Sequence, residues 1–274
     1  MSGNTQSEAL QNVSKFHSSL KSLYEFDRIE VFGVITTLLA KTDEDNCFIG
    51  TYLRTRGNIE TLLEITNAKH FQAVAMVSRA LFELAVDVRL MDQIPNGIEK
   101  MLAAVEVEKL RCARKAVAFK TANPTADIDP IFQSFAQLQG PRIDTKHRTL
   151  WPSKKDPSKL SIVKHWTGLD LSARIKLLKA PFEQIYELNY PRLSWYVHPG
   201  LTGVVNVSSE TFTLVCSLAF KLAADAYWEV LKAVIQRFKI EKANKKIHQQ
   251  MKVAQLLPFS EDSEQEQALL RTIQ

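Results

Sequence analysis

Residues 70–94, HFQAVAMVSRALFELAVDVRLMDQI, decide the fold class. Phe71, Val74, Met76, Val77, Leu81, Phe82, Leu84, Val86, Val88 and Leu90 make this stretch apolar nearly all round. It is too long for a strand, and a helix of that pattern is expected at the centre of a bundle. Pro95-Asn96-Gly97 supplies a clear stop. Three charges interrupt the apolar surface at four-residue steps: Arg79, Glu83 and Asp87. An isolated buried charge is costly, so these groups are expected to pair with each other or with a partner helix. One reading is a functional polar stripe. The other is an internal ion pair that ties helices together.

Helical periodicity extends outward on both sides. Upstream, apolar residues at 10, 13, 16, 20, 23 and 24 predict a helix over Glu8–Phe26. A second is expected over Ile29–Lys41 with Asp27 as N-cap, and a third is capped by Asp43 or Asp45. Downstream, Gly97–Lys120 reads as a helix with its Lys and Arg gathered near the C-terminus. A short helix over Ile128–Leu138 is expected to end at Gly140-Pro141, followed by an irregular region over Arg142–Leu171. Helices resume at Ser172 and Phe182, and Ser208-Ser209-Glu210 opens a last long one. Only Leu201–Val207 shows brief strand alternation, and no repeat of 30–50 residues is found. The expectation is an all-α, single-domain bundle of about eight helices over residues 1–257. It carries an irregular basic insertion at 139–172 and an acidic tail at 258–274.

Composition narrows the function classes. The chain has 274 residues, 45% hydrophobic and 24% charged, with nine glycines and ten prolines. Those proportions fit an ordinary globular protein and disfavour a glycine-rich phosphate-binding fold. No secretory leader is visible. The longest apolar run, Val31–Ala40, is broken by Gly33, Thr36 and Thr37 and is about half of the ~20 residues a spanning helix needs. A cytoplasmic protein without a membrane partner is expected. Cys47, Cys112 and Cys216 form no paired motif, and each is expected to act as a small buried apolar group. His147, His165 and Cys112 lack zinc-ligand spacing, so no metal is expected. The phosphate-loop, dinucleotide and hydrolase-elbow motifs are absent, so no cofactor is expected.

The net charge of +5 is unevenly placed. Seven Lys or Arg lie between Arg142 and Lys164, against Asp144 and Asp156. Arg148, Lys154, Lys155 and Lys159 are the candidate nucleic-acid contacts of that zone, with ordinary solvated surface as the alternative. Trp151, Trp166, Trp195 and Tyr196 lie near basic residues and suit base stacking or core packing.

The candidate chemistry lies in residues 186–200, YELNYPRLSWYVHPG. Tyr186, Tyr190, Ser194 and His198 recur every four residues, a spacing that shares one helix face. Pro191 kinks that helix or restarts it in its first turn. His198 then lies at a helix C-terminus before Pro199-Gly200, where its imidazole pKa rises, and a nearby Glu83 raises it further. It would exchange protons near neutral pH as a general acid or base, or simply cap the helix.

In a wholly helical chain, Arg192 followed by His198 resembles the R-x4–6-H motif of HEPN domains. RALFE (79–83) together with YPRLSWYVHP (190–199) also resembles a group of uncharacterised bacterial helical proteins of that fold, over roughly residues 45–240. The resemblance implies a metal-independent endoribonuclease of a bacterial stress, toxin–antitoxin or anti-phage system. It would act as a homodimer on RNA, with an antitoxin or other protein partner possible. Arg192 would stabilise the scissile phosphate and His198 would move the proton, supported by Arg79, Glu83, Tyr190 and Ser194. The competing expectation is a non-catalytic helical module that binds RNA, a nucleotide or a protein partner.

Overall fold

The computed structural model describes residues 3–38, 42–153, 156, 159–160, 163–179, 182–197 and 209–246. His198, Lys154, Lys155, the strand-like Leu201–Val207 and the acidic tail lie outside the described residues. All regular structure among those described is helical. There are ten α-helices, two more than expected, and residues 241–246 are also helical. They are α1 (Gly3–Asp27), α2 (Gly33–Thr37), α3 (Asp43–Glu64), α4 (Phe71–Leu90), α5 (Gly97–Ala122), α6 (Pro130–Leu150), α7 (Leu171–Leu178), α8 (Phe182–Leu188), α9 (Tyr190–Val197) and α10 (Ser209–Arg237). The chain divides into two compact units, Met1–Arg89 with Ile175–Gln274, and Leu90–Arg174.

In the first unit α10 is the central helix, the place the apolar pattern assigned to α4. Ala219, Ala223, Ala226, Tyr227, Val230, Leu231 and Val234 on α10 are fully buried. The alanines leave room for α1, whose Leu20 and Leu23 are likewise sealed. Each such leucine contributes about 1.5–3 kcal/mol. The edge contact of His17 with Phe220 (5.3 Å) and the hydrogen bond from Tyr227 to Asp27 (2.7 Å) show that α1 and α10 run in the same direction. Arg237 pairs with Glu44 and Asp45 at the start of α3 (2.5 and 3.0 Å), so α3 runs opposite. On α4, Phe71 packs on Phe212 (4.6 Å) and Arg89 reaches Glu229 (3.7 Å). Met76 near the start of α4 is 55% exposed, but no residue from Val77 to Leu90 is, so the C-terminal part of α4 is buried as its apolar pattern expects.

Asp27 is not an N-cap. α1 continues through it into a π-helical turn, Arg28–Phe32, and then into α2. Its carboxylate is wholly buried instead. Thr42, not an aspartate, caps α3, its side chain accepting the Asp45 N–H at 3.1 Å. Asp43, Glu44 and Asp45 then occupy the first turn, where carboxylates suit the helix dipole. Pro191 restarts a helix: α8 ends at Leu188 and α9 begins at Tyr190.

The second unit is built on the α5–α6 hairpin. Gly97 opens α5 after the left-handed Asn96, and a Cβ on Gly97 would lie 2.5 Å from the Met91 carbonyl oxygen. Asp129 caps α6 through the Ile131 N–H (2.9 Å), with Pro130 in the first turn. α6 then runs through Gly140 and Pro141 to Leu150, so the expected stop is absent. Tertiary pairing explains the difference: Arg142 bonds Glu106 (2.6 Å) and Asp144 bonds Arg114 (2.6 Å), holding the helix against α5. Irregular backbone starts only at Trp151, whose Nε1 donates to the Trp166 carbonyl at 3.0 Å. Cys47 and Cys216 are buried, but Cys112 is exposed on α5, contrary to expectation.

Candidate functional site

The polar stripe of α4 meets α9. The Tyr190 hydroxyl donates to Glu83 Oε1 at 2.7 Å and accepts from Arg79 Nη2 at 2.9 Å. The Arg79 guanidinium lies over the same ring, 4.6 Å from its centroid. Burial first, and then the bond to Glu83, push the Tyr190 phenol up to about 12, so it stays a donor at neutral pH. Tyr186 packs on Tyr190 (centroids 5.4 Å apart) and Phe82 on its other side (5.8 Å). Arg79, Glu83 and Tyr190 are therefore brought together as one assembly. Asp87 is half-buried on the same stripe.

Ser194 does not join them. Its hydroxyl donates to the Tyr190 carbonyl at 2.9 Å, a bond within its own helix. Arg192 does not join them either: it is exposed, and it makes no hydrogen bond or ion pair with a described residue. The reason is helical geometry. Tyr190 and Leu193 point inward and anchor α9, which turns Arg192 and Trp195 outward, three residues apart on one exposed face. Trp195 is 59% exposed. The pairing of Arg192 with His198 lies partly outside the described residues.

Of the basic zone, Arg148 is exposed on α6, and Lys159 pairs loosely with Asp156 at 3.5 Å. Arg142 is held by Glu106 and Lys146 approaches Glu99 (4.0 Å), so part of that positive charge is neutralised locally. His165 is a loop lock: its Nε2 lies 2.9 Å from Arg174 Nη1, and its Nδ1 faces the Thr167 hydroxyl at 3.0 Å and the Thr167 N–H at 3.3 Å.

A second polar assembly escaped the sequence. Asp27 accepts hydrogen bonds from Tyr52 (2.5 Å), Tyr227 (2.7 Å) and Arg56. The Arg56 guanidinium lies between the rings of Tyr24 (4.4 Å) and Phe32 (4.1 Å), and its Nη2 donates to the Tyr24 hydroxyl at 2.6 Å. Burial pushes the Asp27 carboxyl up, against the lowering effect of the two phenols and of Arg56. The assembly is sealed from solvent, so it serves the fold rather than a substrate. Beside it, Glu30 of the π-helical turn pairs with Lys242 and Lys246 (3.3 and 2.6 Å), and no local sequence signal marks the assembly.

Among the described residues, no three His, Cys, Asp or Glu side chains gather as a metal-ligand set. None of the described helices is long and apolar enough to cross a membrane. Comparison with protein-family models, with curated proteins and with solved structures finds no match to this chain.

Proposed function

We propose that the chain is a metal-independent endoribonuclease in which Arg192 binds the scissile phosphate and His198 transfers the proton. One observation carries this reading: α9 is pinned from within by Tyr190 and Leu193, while Arg192 and Trp195 stand outward on one face. A guanidinium without a carboxylate partner among the described residues suits a phosphate, and an exposed indole beside it suits an RNA base. Arg79, Glu83 and Tyr190 are positioning residues, since the Tyr190 hydroxyl bridges Arg79 and Glu83 and so holds α9 to α4.

The reaction needs no cofactor. The ribose 2′-hydroxyl gives its proton to a base and its oxygen bonds to the adjacent phosphorus. The bond from phosphorus to the 5′-oxygen breaks, and that oxygen takes up a proton. The products are a 2′,3′-cyclic phosphate and a 5′-hydroxyl. An imidazole suits such transfers near neutral pH, and a guanidinium stabilises the charge that builds on the phosphoryl oxygens.

The second reading is RNA binding without cleavage, favoured by the Tyr190 hydroxyl being engaged both as donor, to Glu83, and as acceptor, from Arg79. Incubation of single-stranded RNA with the purified chain in EDTA separates the two. Cleavage to cyclic-phosphate ends that is lost in His198→Ala is the expected result. Salt-sensitive binding with RNA left intact assigns the second reading.

A further inference from the structure

The second unit contains a cleft of about 740 Å³ lined by α5, α6 and the three residues Leu160, Val163 and Lys164. That size falls within the ~300–1,000 Å³ typical of small-molecule sites and far exceeds what an inorganic anion fills. Its floor is apolar, with Val107 and Leu110 from α5, Ile143 from α6 and Val163 from the following segment. His147 also lines the floor. It is buried (6% exposed) and set edge-on to Trp151 at 5.5 Å.

Cations surround that floor in two kinds. Arg111 and Arg114 are each clamped by a carboxylate: Arg111 by Glu108 (2.9 and 2.5 Å) and Arg114 by Asp144 (2.9 and 2.6 Å). Gly140 keeps the Arg114 guanidinium in place, because a Cβ there would sit 3.3 Å from Arg114 Nη2. Lys115 and Lys164 stand on different walls, exposed and in no direct ion pair with a described residue, although the Lys115 charge also acts on Glu108. The charged lining therefore has four cations and two carboxylates. That excess of two positive charges fits a dianionic phosphate better than a single carboxylate. The apolar floor fits a flat ring, and the clamped carboxylates fit hydroxyl or amino donors.

We propose that this cleft binds a nucleoside phosphate, its base over Val107, Leu110 and Val163 and its phosphate between Lys115 and Lys164. None of the residues lining the cleft belongs to α9, and the proposal does not rest on the nuclease reading.

Calorimetric titration of the full chain with ADP tests it, with adenosine, inorganic phosphate and laurate as comparison probes. Saturable ADP binding below ~1 mM is expected, with adenosine and phosphate each at least about tenfold weaker. Lys115→Ala and Lys164→Ala are each expected to weaken ADP by about tenfold at an unchanged unfolding midpoint, since both side chains are exposed and in no direct ion pair with a described residue. Retention of RNA cleavage in the double variant would separate this site from α9. Absence of ADP binding, or ADP binding that the double variant leaves intact, overturns the proposal. Laurate that binds more tightly than ADP overturns the ligand class.

Discussion

Two polar assemblies in the first unit use the same chemistry to different ends. Each joins an arginine to carboxylate and tyrosine hydroxyl groups (Asp27 and Glu60 in one, Glu83 in the other), and each arginine lies over a tyrosine ring, at 4.4 Å for Arg56 and 4.6 Å for Arg79. The Asp27 assembly is sealed and joins three long helices, α1, α3 and α10. The Arg79–Glu83–Tyr190 assembly is half-buried and joins one helix to the eight-residue α9. Burial multiplies the consequence of losing a partner, because the groups left behind have no water to turn to. The sealed assembly should govern whether the chain folds. The half-buried one should govern how α9 is held.

The largest effect is expected for Asp27→Ala, which leaves two buried phenols without their acceptor and Arg56 with only Glu60 and Tyr24. A loss of about 3–5 kcal/mol in urea unfolding is expected for a broken buried pair. A loss no larger than that of Tyr190→Phe would remove the difference between the two assemblies. Tyr190→Phe keeps the ring but leaves Glu83 and Arg79 without their bridge, and about 1–3 kcal/mol is expected. Amide exchange sharpens that comparison, because faster exchange should centre on α9 rather than spread through α10.

A smaller effect, of pH, should come from Glu229. Burial raises its carboxyl above the ordinary value, against the lowering effect of Arg89. In the unfolded chain it titrates near ~4.3, so between that value and the raised one the folded chain holds the extra proton. Its contribution therefore falls as pH rises through that window. Glu229→Gln should be at least as stable as wild type near neutral pH, with the gap closing as pH falls toward ~4. Denaturation midpoints across that range check it, and a glutamine variant less stable throughout would show that the Arg89 contact outweighs burial.

Much of the fold was legible because its signals are local. The apolar run of α4, the Pro95-Asn96-Gly97 stop and the restart at Pro191 all lie within a few residues of what they determine. Two misreadings came from distance. Asp27 looked like a cap because nothing nearby reveals that Tyr52 and Tyr227, 25 and 200 residues away, donate to it. Gly140-Pro141 looked like a stop because the contacts that carry α6 onward come from Glu106, Leu110 and Arg114 on α5. At the candidate site, the joining of Arg79, Glu83 and Tyr190 followed from charges repeated every four residues on an apolar helix. The outward turn of Arg192 did not, because it depends on which side of α9 meets α4.

The most direct test replaces Arg192 with alanine and measures RNA cleavage per folded molecule alongside the unfolding free energy. Arg192 is exposed and unpaired among the described residues, so stability should change by less than about 0.5 kcal/mol. Cleavage should fall by at least about a hundredfold, the scale of losing one charge-stabilising group in a transition state. A variant that is equally stable and cuts RNA as wild type does would contradict the assignment of α9 as the RNA-facing helix.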